Sequence, residues 1–141
     1  MEDFAGFTGA HCHQLWAKVG PNWTCPGCGR SKFQILRWVK RTPGGCEPFW
    51  GWHTGLHEHH DHEIDCDRSL TPRFQPTVMC DPCNASDGNA KRSLKLPKTF
   101  SFAPAEIRQF LTVTPHGAHK IDLTKAKQIY DATPKRVSFF L

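Results

Sequence analysis

Cys25-Pro26-Gly27-Cys28-Gly29-Arg30 and Cys80-Asp81-Pro82-Cys83-Asn84 are the two stretches that decide how this chain folds. Two residues between thiols is the spacing that lets one knuckle turn present both sulfurs to a tetrahedral ion, and the glycines of the first stretch allow the tight turn. A single Cys-x-x-Cys also serves redox chemistry. Two of them in 141 residues point to a four-thiolate structural zinc held by Cys25, Cys28, Cys80 and Cys83. Iron–sulfur ligation and disulfides are the competing readings. The 51 residues between the pairs form a long loop tied at its base. A zinc staple there replaces hydrophobic core that a small chain lacks.

The remaining composition agrees. Seven cysteines is an odd number, which suits metal binding in a reducing compartment better than a disulfide framework. Cys12, Cys46 and Cys66 are left over. Cys12 with His11, His13 or His53 offers a second zinc site, and otherwise the three are free thiols. Hydrophobic residues make up 38%, enough for a modest core in one domain with a small appendage. No apolar run is long enough to span a membrane, and Met1-Glu2-Asp3-Phe4 does not open a signal peptide. The expectation is a cytoplasmic protein.

Charge is unevenly spread. Residues 1–90 hold eight Lys or Arg and ten Asp or Glu, a sum of −2, whereas residues 91–141 hold ten basic and three acidic, a sum of +7. A basic half behind a histidine-rich, mildly acidic half suggests a phosphate-binding flank beside a metal centre, with an ordinary basic surface as the plainer alternative.

Along the chain, residues 1–24 read as an arm or short helix, 25–98 as a zinc-stapled core and 99–141 as a helical extension for dimerisation and DNA contact. Residues 33–39 alternate loosely as a short strand. Thr77-Val78-Met79 lead into the second knuckle, and a helix begins near residue 84. Pro104 opens a helix to Leu111, and Asp122 caps another that runs from about Thr124 to Ala132. Trp38, Trp50 and Trp52 are read as core and strand packing in preference to base stacking.

Leu56-His57-Glu58-His59-His60-Asp61-His62-Glu63 is the second informative stretch. If it is extended, His60 and His62 share one face and His59 and Asp61 the other, so neighbouring histidines can take different work. One can bind a metal while the next activates water. A histidine-rich surface loop and a second structural metal site are the bland readings.

Taken together, His59-His60-Asp61-His62-Glu63 and Cys80-Asp81-Pro82-Cys83-Asn84-Ala85-Ser86-Asp87-Gly88 resemble the HNH, or ββα-metal, nuclease motif. The closest type is the phage recombination endonuclease VII, and the similarity covers roughly residues 25–92. The resemblance implies an α+β fold, a small ββα-metal core with added C-terminal helices. It implies a bacterial or phage-encoded enzyme that hydrolyses double-stranded DNA with one catalytic divalent ion. His60 then matches the general base and Asn84 a metal ligand. His59 stands where the family often has a metal-binding aspartate. His62 matches the second histidine of the motif, and Asp87 falls where a glutamate lies near the metal. A neutral His59 in place of an acid makes the site less anionic and shifts preference from Mg²⁺ toward Mn²⁺, Co²⁺ or Ni²⁺.

The chemistry is coherent without the family. Phosphodiester cleavage needs a water deprotonated near neutral pH, which histidine can do, and a cation to stabilise charge on the phosphate. Arg37, Lys40, Arg41, Lys91, Arg92, Lys95 and Lys98 are candidate phosphate contacts, with Lys125 and Lys127 further along. The expected function is a sequence-specific, restriction-like endonuclease. A duplex cutter this small would work as a homodimer, with one active site per strand. Junction-resolving or homing and packaging nucleases are alternatives of the same chemistry. A non-catalytic zinc module and a redox protein are alternatives of other classes.

Overall fold

The computed structural model describes residues 9–42, 44, 45 and 47–136, with backbone alone at 9–13 and 41. The architecture is mixed α+β, with small antiparallel sheets and five helices among these residues. Helix α1 (Gly9–Val19) ends at Gly20, whose φ of 77° suits glycine. Strands β1 (Arg37–Arg41) and β2 (Phe49–His53) form a ribbon in which Trp38 faces Trp52 and Lys40 faces Trp50. Strand β3 (Leu56–His59) leads through the short helix α2 (Glu63–Cys66) to strand β4 (Thr77–Cys80). These two strands pair from Leu56–Cys80 to His59–Thr77.

Helix α3 (Asp81–Ser93) follows β4 without a break and packs across β3 and β4. Pro82 opens it, where a missing N–H costs nothing. Asp81 lies in its first turn and Lys91 and Arg92 in its last, both matching the helix dipole. Two helices and a small hairpin complete the chain: α4 (Pro104–Phe110), β5 (Leu111–Thr112), β6 (Lys120–Ile121) and α5 (Leu123–Ala132). Asp122 caps α5 by accepting from the Lys125 amide at 2.9 Å.

One core joins the parts. Leu56, Met79 and Ala90 share it with Phe100, Phe102, Ile107, Phe110 and Ala126, all at most 4% exposed. Residues 100–126 are thus built into the packing that seats β3 and α3. The segment at Phe102 is threaded between two functional candidates: its carbonyl meets His59 Nε2 at 2.7 Å and its amide donates to Asp87 at 2.9 Å.

Three expectations change. The strand over 33–39 begins only at Arg37, because residues 32–35 form turns that bury Ile35 and leave Phe33 exposed. Trp38 and Trp50 are not core residues: they are 54% and 59% exposed, and of the three tryptophans read as packing only Trp52 leans on the core. Helix α3 starts three residues earlier than 84, at Asp81, since Cys80 is still extended and serves as its cap residue. No helix among the described residues is long and apolar enough to cross a membrane.

Candidate metal centre and histidine cluster

The first knuckle is a closed turn. Gly29 N–H donates to the Cys25 carbonyl at 2.7 Å and Cys25 N–H to the Arg30 carbonyl at 2.9 Å. Gly29 has φ of 76°, and a Cβ on Gly27 would stand 2.9 Å from the Cys83 sulfur, so both positions require glycine. The second knuckle sits at the β4–α3 junction. Its proximity to the first brings Cys25 Sγ within 3.7 Å of Cys83 Sγ and Cys28 Sγ within 3.8 Å of Cys80 Sγ. A tetrahedral ion with metal–sulfur bonds of about 2.3 Å spaces its sulfurs by about 3.8 Å. The donor set therefore fits zinc in size as well as in softness.

The surroundings supply positive charge. Arg30 is only 2% exposed; its Nε donates to Cys28 Sγ at 3.2 Å and its Nη2 to Cys80 Sγ at 3.6 Å. Its Nη1 donates to the carbonyls of Thr114 and Gly117 at 2.7 and 3.0 Å. His119 Nε2 lies 3.4 Å from Cys83 Sγ. The Cys80 amide donates to Cys25 Sγ at 3.4 Å. Contact with Cys25, Cys80 and Cys83 holds Cys28 well below the ordinary thiol range, whereas contact with Cys25, Cys28 and Cys80 pushes Cys83 well above it. Arg30 and His119 were not singled out by sequence. The arginine directly behind the knuckle was visible, but the carbonyls it meets, in the loop between β5 and β6, lie more than eighty residues on.

The histidine tract alternates as its sequence suggests. His59 and Asp61 are buried at 2% and 1% exposure, whereas His60 and His62 lie at the surface with rings 4.7 Å apart. His60 Nε2 meets Asp65 at 2.9 Å, because the turn of α2 brings residue 65 back over residue 60. A carboxylate only accepts, so Nε2 is the donor of this pair and Nδ1 is the ring nitrogen that Asp65 leaves unengaged. The hydrogen bond with His60 keeps Asp65 ionised, below the usual carboxylate range. His60, His62 and Asp65 together place three ligand-type atoms within 4.8 Å.

Desolvation first, and then the charge of Lys91, hold His62 below the ordinary imidazole value. Asp61 is a structural anion. Burial would raise it, but amides of Arg73 and Glu63 and the Arg136 guanidinium at 3.1 Å outweigh that and hold it low.

The other candidates divide. His59 stacks on Phe74 at 5.2 Å and donates from Nε2 to the Phe102 carbonyl, which leaves its lone pair on Nδ1. It is not in the same group of close ligand atoms as His60. Asn84 lies half-buried in the first turn of α3. Asp87 is engaged by Lys91 at 2.9 Å and by the Phe102 amide.

Lys91, also bonded to the Phe100 carbonyl at 2.9 Å, is tied into the fold. Arg92, Lys95 and Lys98 are exposed and, with Lys91 and His62, line a cleft of about 470 Å³. Arg37 is half-exposed and Lys40 exposed on β1; the Arg41 side chain lies outside the described residues. So do the side chains of His11, Cys12 and His13, and Cys46. Cys66 is a free, exposed thiol.

No model of a known protein family matches this chain, and no curated protein or solved structure matches it either. What stands is the geometry: a buried four-cysteine cluster and a surface His/His/Asp cluster, the chemistry of a zinc-binding protein with a nuclease-like, metal-dependent motif.

Proposed function

We propose that this protein is a metal-dependent endonuclease of the HNH, ββα-metal type that hydrolyses phosphodiester bonds of double-stranded DNA. The observation that carries the reading is the pairing of His60 with Asp65 beside the basic cleft of α3. His60 is the general base. Asp65 fixes its tautomer and orientation, so that Nδ1 takes a proton from the attacking water. His62 reaches from the same surface into the cleft where Arg92, Lys95 and Lys98 seat the phosphates on either side of the scissile bond.

The catalytic ion, Mg²⁺, Mn²⁺ or another divalent transition ion, would be held by His59 through Nδ1 and by Asn84. When bound it would stabilise charge on the phosphate and the leaving oxygen. The Phe102 carbonyl on His59 Nε2 is the kind of outer partner that fixes a ligand histidine. Asp87 acts behind this pair, holding the 100–102 segment in place. The Cys25, Cys28, Cys80 and Cys83 zinc fills all its positions with protein and does no chemistry. The chain acts as a homodimer in the cytoplasm, one active site per strand, with restriction-like sequence specificity.

A second reading has its own observation. His60, His62 and Asp65 are close enough to be the ion site themselves. The two readings separate on Asp65→Asn. As an orienting group, Asp65 sets the rate but not the metal concentration for half-maximal activity; as a ligand, it sets that concentration. The decisive assay is cleavage of supercoiled plasmid with Mg²⁺, Mn²⁺, Co²⁺ or Ni²⁺, with product ends sequenced. Nicked and linear products that require His60 support the proposal. Intact plasmid with every ion, from zinc-loaded folded protein, overturns it.

A further inference from the structure

The β1–β2 ribbon has no part in the reaction described above, yet the ribbon and the turn that leads into it carry the largest exposed aromatic surface of the described residues. Trp50 is 59% exposed, Phe33 57%, Trp38 54% and Phe49 43%. The pairing register puts Trp38, Trp52, Lys40 and Trp50 on one face, since Trp38 opposes Trp52 and Lys40 opposes Trp50. The rings are organised. Phe33 meets His116 edge-on at 5.0 Å, His116 meets Trp52 at 5.8 Å, and Trp52 meets Trp38 at 5.3 Å and 72°.

His116 is itself fixed, because its Nδ1 donates to the Leu36 carbonyl at 2.9 Å and its amide to the Gln34 carbonyl at 2.8 Å. Trp38 is thus braced from the side by Trp52 while more than half of it faces solvent. The strands and their connection hold Arg37, Lys40 and Arg41 against one carboxylate, Glu47.

We propose that this face is a stacking platform for unpaired nucleobases, with Lys40 on the phosphates between them. Charge chooses the occupant. Flat aromatic faces interleaved with cations match a polyanion whose bases present free π-faces. A second copy of the chain would have to bury Lys40 among the tryptophans, and interface centres are depleted in lysine. The chemistry of the face also excludes groove reading of an intact duplex. Base edges are read by paired donors and acceptors, and this face offers ring surface instead.

The ribbon adjoins the β4–α3 junction: β2 passes through Thr54 and Gly55 into the start of β3, opposite Cys80, and Arg37 and His53 both act on Asp81 at the start of α3. The inference goes beyond the nuclease reading. It adds that the bound nucleic acid has bases outside the stack next to the duplex, as at a branch, a bulge or a flipped position.

The test uses full-length, zinc-loaded protein, with Trp38→Ala, Trp50→Ala, Trp50→Tyr and the Trp38→Ala/Trp50→Ala pair. The probes are oligo-dT, a blunt duplex and a four-way junction of the same arms. Binding is read by fluorescence anisotropy, intrinsic tryptophan emission and sedimentation equilibrium. Wild type should show tryptophan quenching on oligo-dT and junction. Trp50→Ala should weaken both by about 5- to 100-fold, the range of one lost stack. Trp50→Tyr should recover most of that, and duplex affinity should move less than about two-fold.

Unchanged oligo-dT and junction binding in the double variant overturns the proposal. So does a wild-type dimer that becomes monomeric in the double variant with binding unchanged, which would assign the face to self-association. Plasmid cleavage by the double variant reports on the nuclease reading separately. Tryptophan-dependent binding without any cleavage would sink the nuclease and leave the platform standing.

Discussion

Cys25, Cys80 and Cys83 are completely buried, and the four sulfurs lie within 4.8 Å of one another, two pairs of them at the edge length of a zinc tetrahedron, with an arginine and a histidine against them. His60, His62 and Asp65 lie at the surface beside an open basic cleft, held by one hydrogen bond and one ring contact. The two clusters stand at opposite ends of the same hairpin: β3 starts opposite Cys80 and ends in His59. A closed, fully ligated site can only hold chain together, whereas an open one with spare donor positions can meet substrate. The comparison assigns stability to one end of β3 and chemistry to the other, and each change below should act on one end alone.

The largest effect belongs to the closed end. Cys83→Ser should remove zinc and unfold the protein, because structural zinc binding is worth about 10–16 kcal/mol, as much as a whole domain's stability. Elemental analysis should find one tightly held zinc per wild-type chain and none in the variant, with loss of the near-ultraviolet dichroism of the core. A folded, zinc-free variant would break the contrast.

At the open end, His60→Ala should lower the cleavage rate about 10²- to 10⁴-fold, the contribution of a positioned general base. Zinc content and melting temperature should stay at wild-type values. Activity above about a tenth of wild type would remove His60 from the mechanism. His59→Ala, by contrast, should change both the rate and the ranking of Mg²⁺, Mn²⁺, Co²⁺ and Ni²⁺; if neither moves, the ion lies with His60, His62 and Asp65.

Much of this was legible in the residues themselves. Metal knuckles announce themselves by spacing, and the alternation that buries His59 and Asp61 while showing His60 and His62 is the one the histidine tract suggests, although β3 ends at His59 and His62 already turns into α2. Helices α4 and α5 were marked by Pro104 and by the Asp122 cap. What escaped was whatever depends on distant closure. Asp65 becomes the partner of His60 only because α2 makes a turn too short to show a helical pattern. Arg30 finds its carbonyls at Thr114 and Gly117. Trp38 and Trp50 looked like core because large aromatics usually are; the three tryptophans share one face of a two-stranded ribbon that extends past the core, and only Trp52 is packed on it.

Buried behind the open end sits Asp61, whose loss tests how the chemistry is scaffolded. Asp61→Asn leaves the Arg136 guanidinium and two amides facing a neutral group in a buried setting. About 2–3 kcal/mol of stability should go at neutral pH. The sign with pH follows from its lowered pKa. Asp61's contribution is complete above the unfolded value of about 3.9 and fades as pH falls through the lower folded value. Denaturant melts of wild type and variant should therefore converge in strong acid and nowhere else.

A smaller effect sharpens the closed end. Arg30→Met removes both guanidinium–sulfur contacts and strands the Thr114 and Gly117 carbonyls. Zinc affinity measured by chelator competition should fall about 10- to 100-fold. The cleavage rate of the zinc-saturated variant should stay within about two-fold of wild type. A large rate loss at full zinc occupancy would mean that the two ends are coupled.

The smallest effect is the most diagnostic for the cleft. Helix α3 ends with Lys95 at φ of 55°, the Leu96 amide bonded to the Lys91 carbonyl at 2.9 Å and the Lys95 amide to Arg92 at 3.2 Å. That closure normally takes glycine at the left-handed position, and a lysine there costs about 1 kcal/mol. The strain places a cation on the rim of the cleft beside Arg92 and Lys98. Lys95→Gly should raise stability by about 0.5–1 kcal/mol, visible as a higher denaturation midpoint at unchanged slope. It should also weaken duplex binding and reduce the salt dependence by about one counterion. Gain in stability with loss of binding would show that the strained lysine is kept for phosphate. Gain in stability with unchanged binding and salt slope would leave the α3 terminus outside the DNA contact, and the basic cleft would have to be drawn without it.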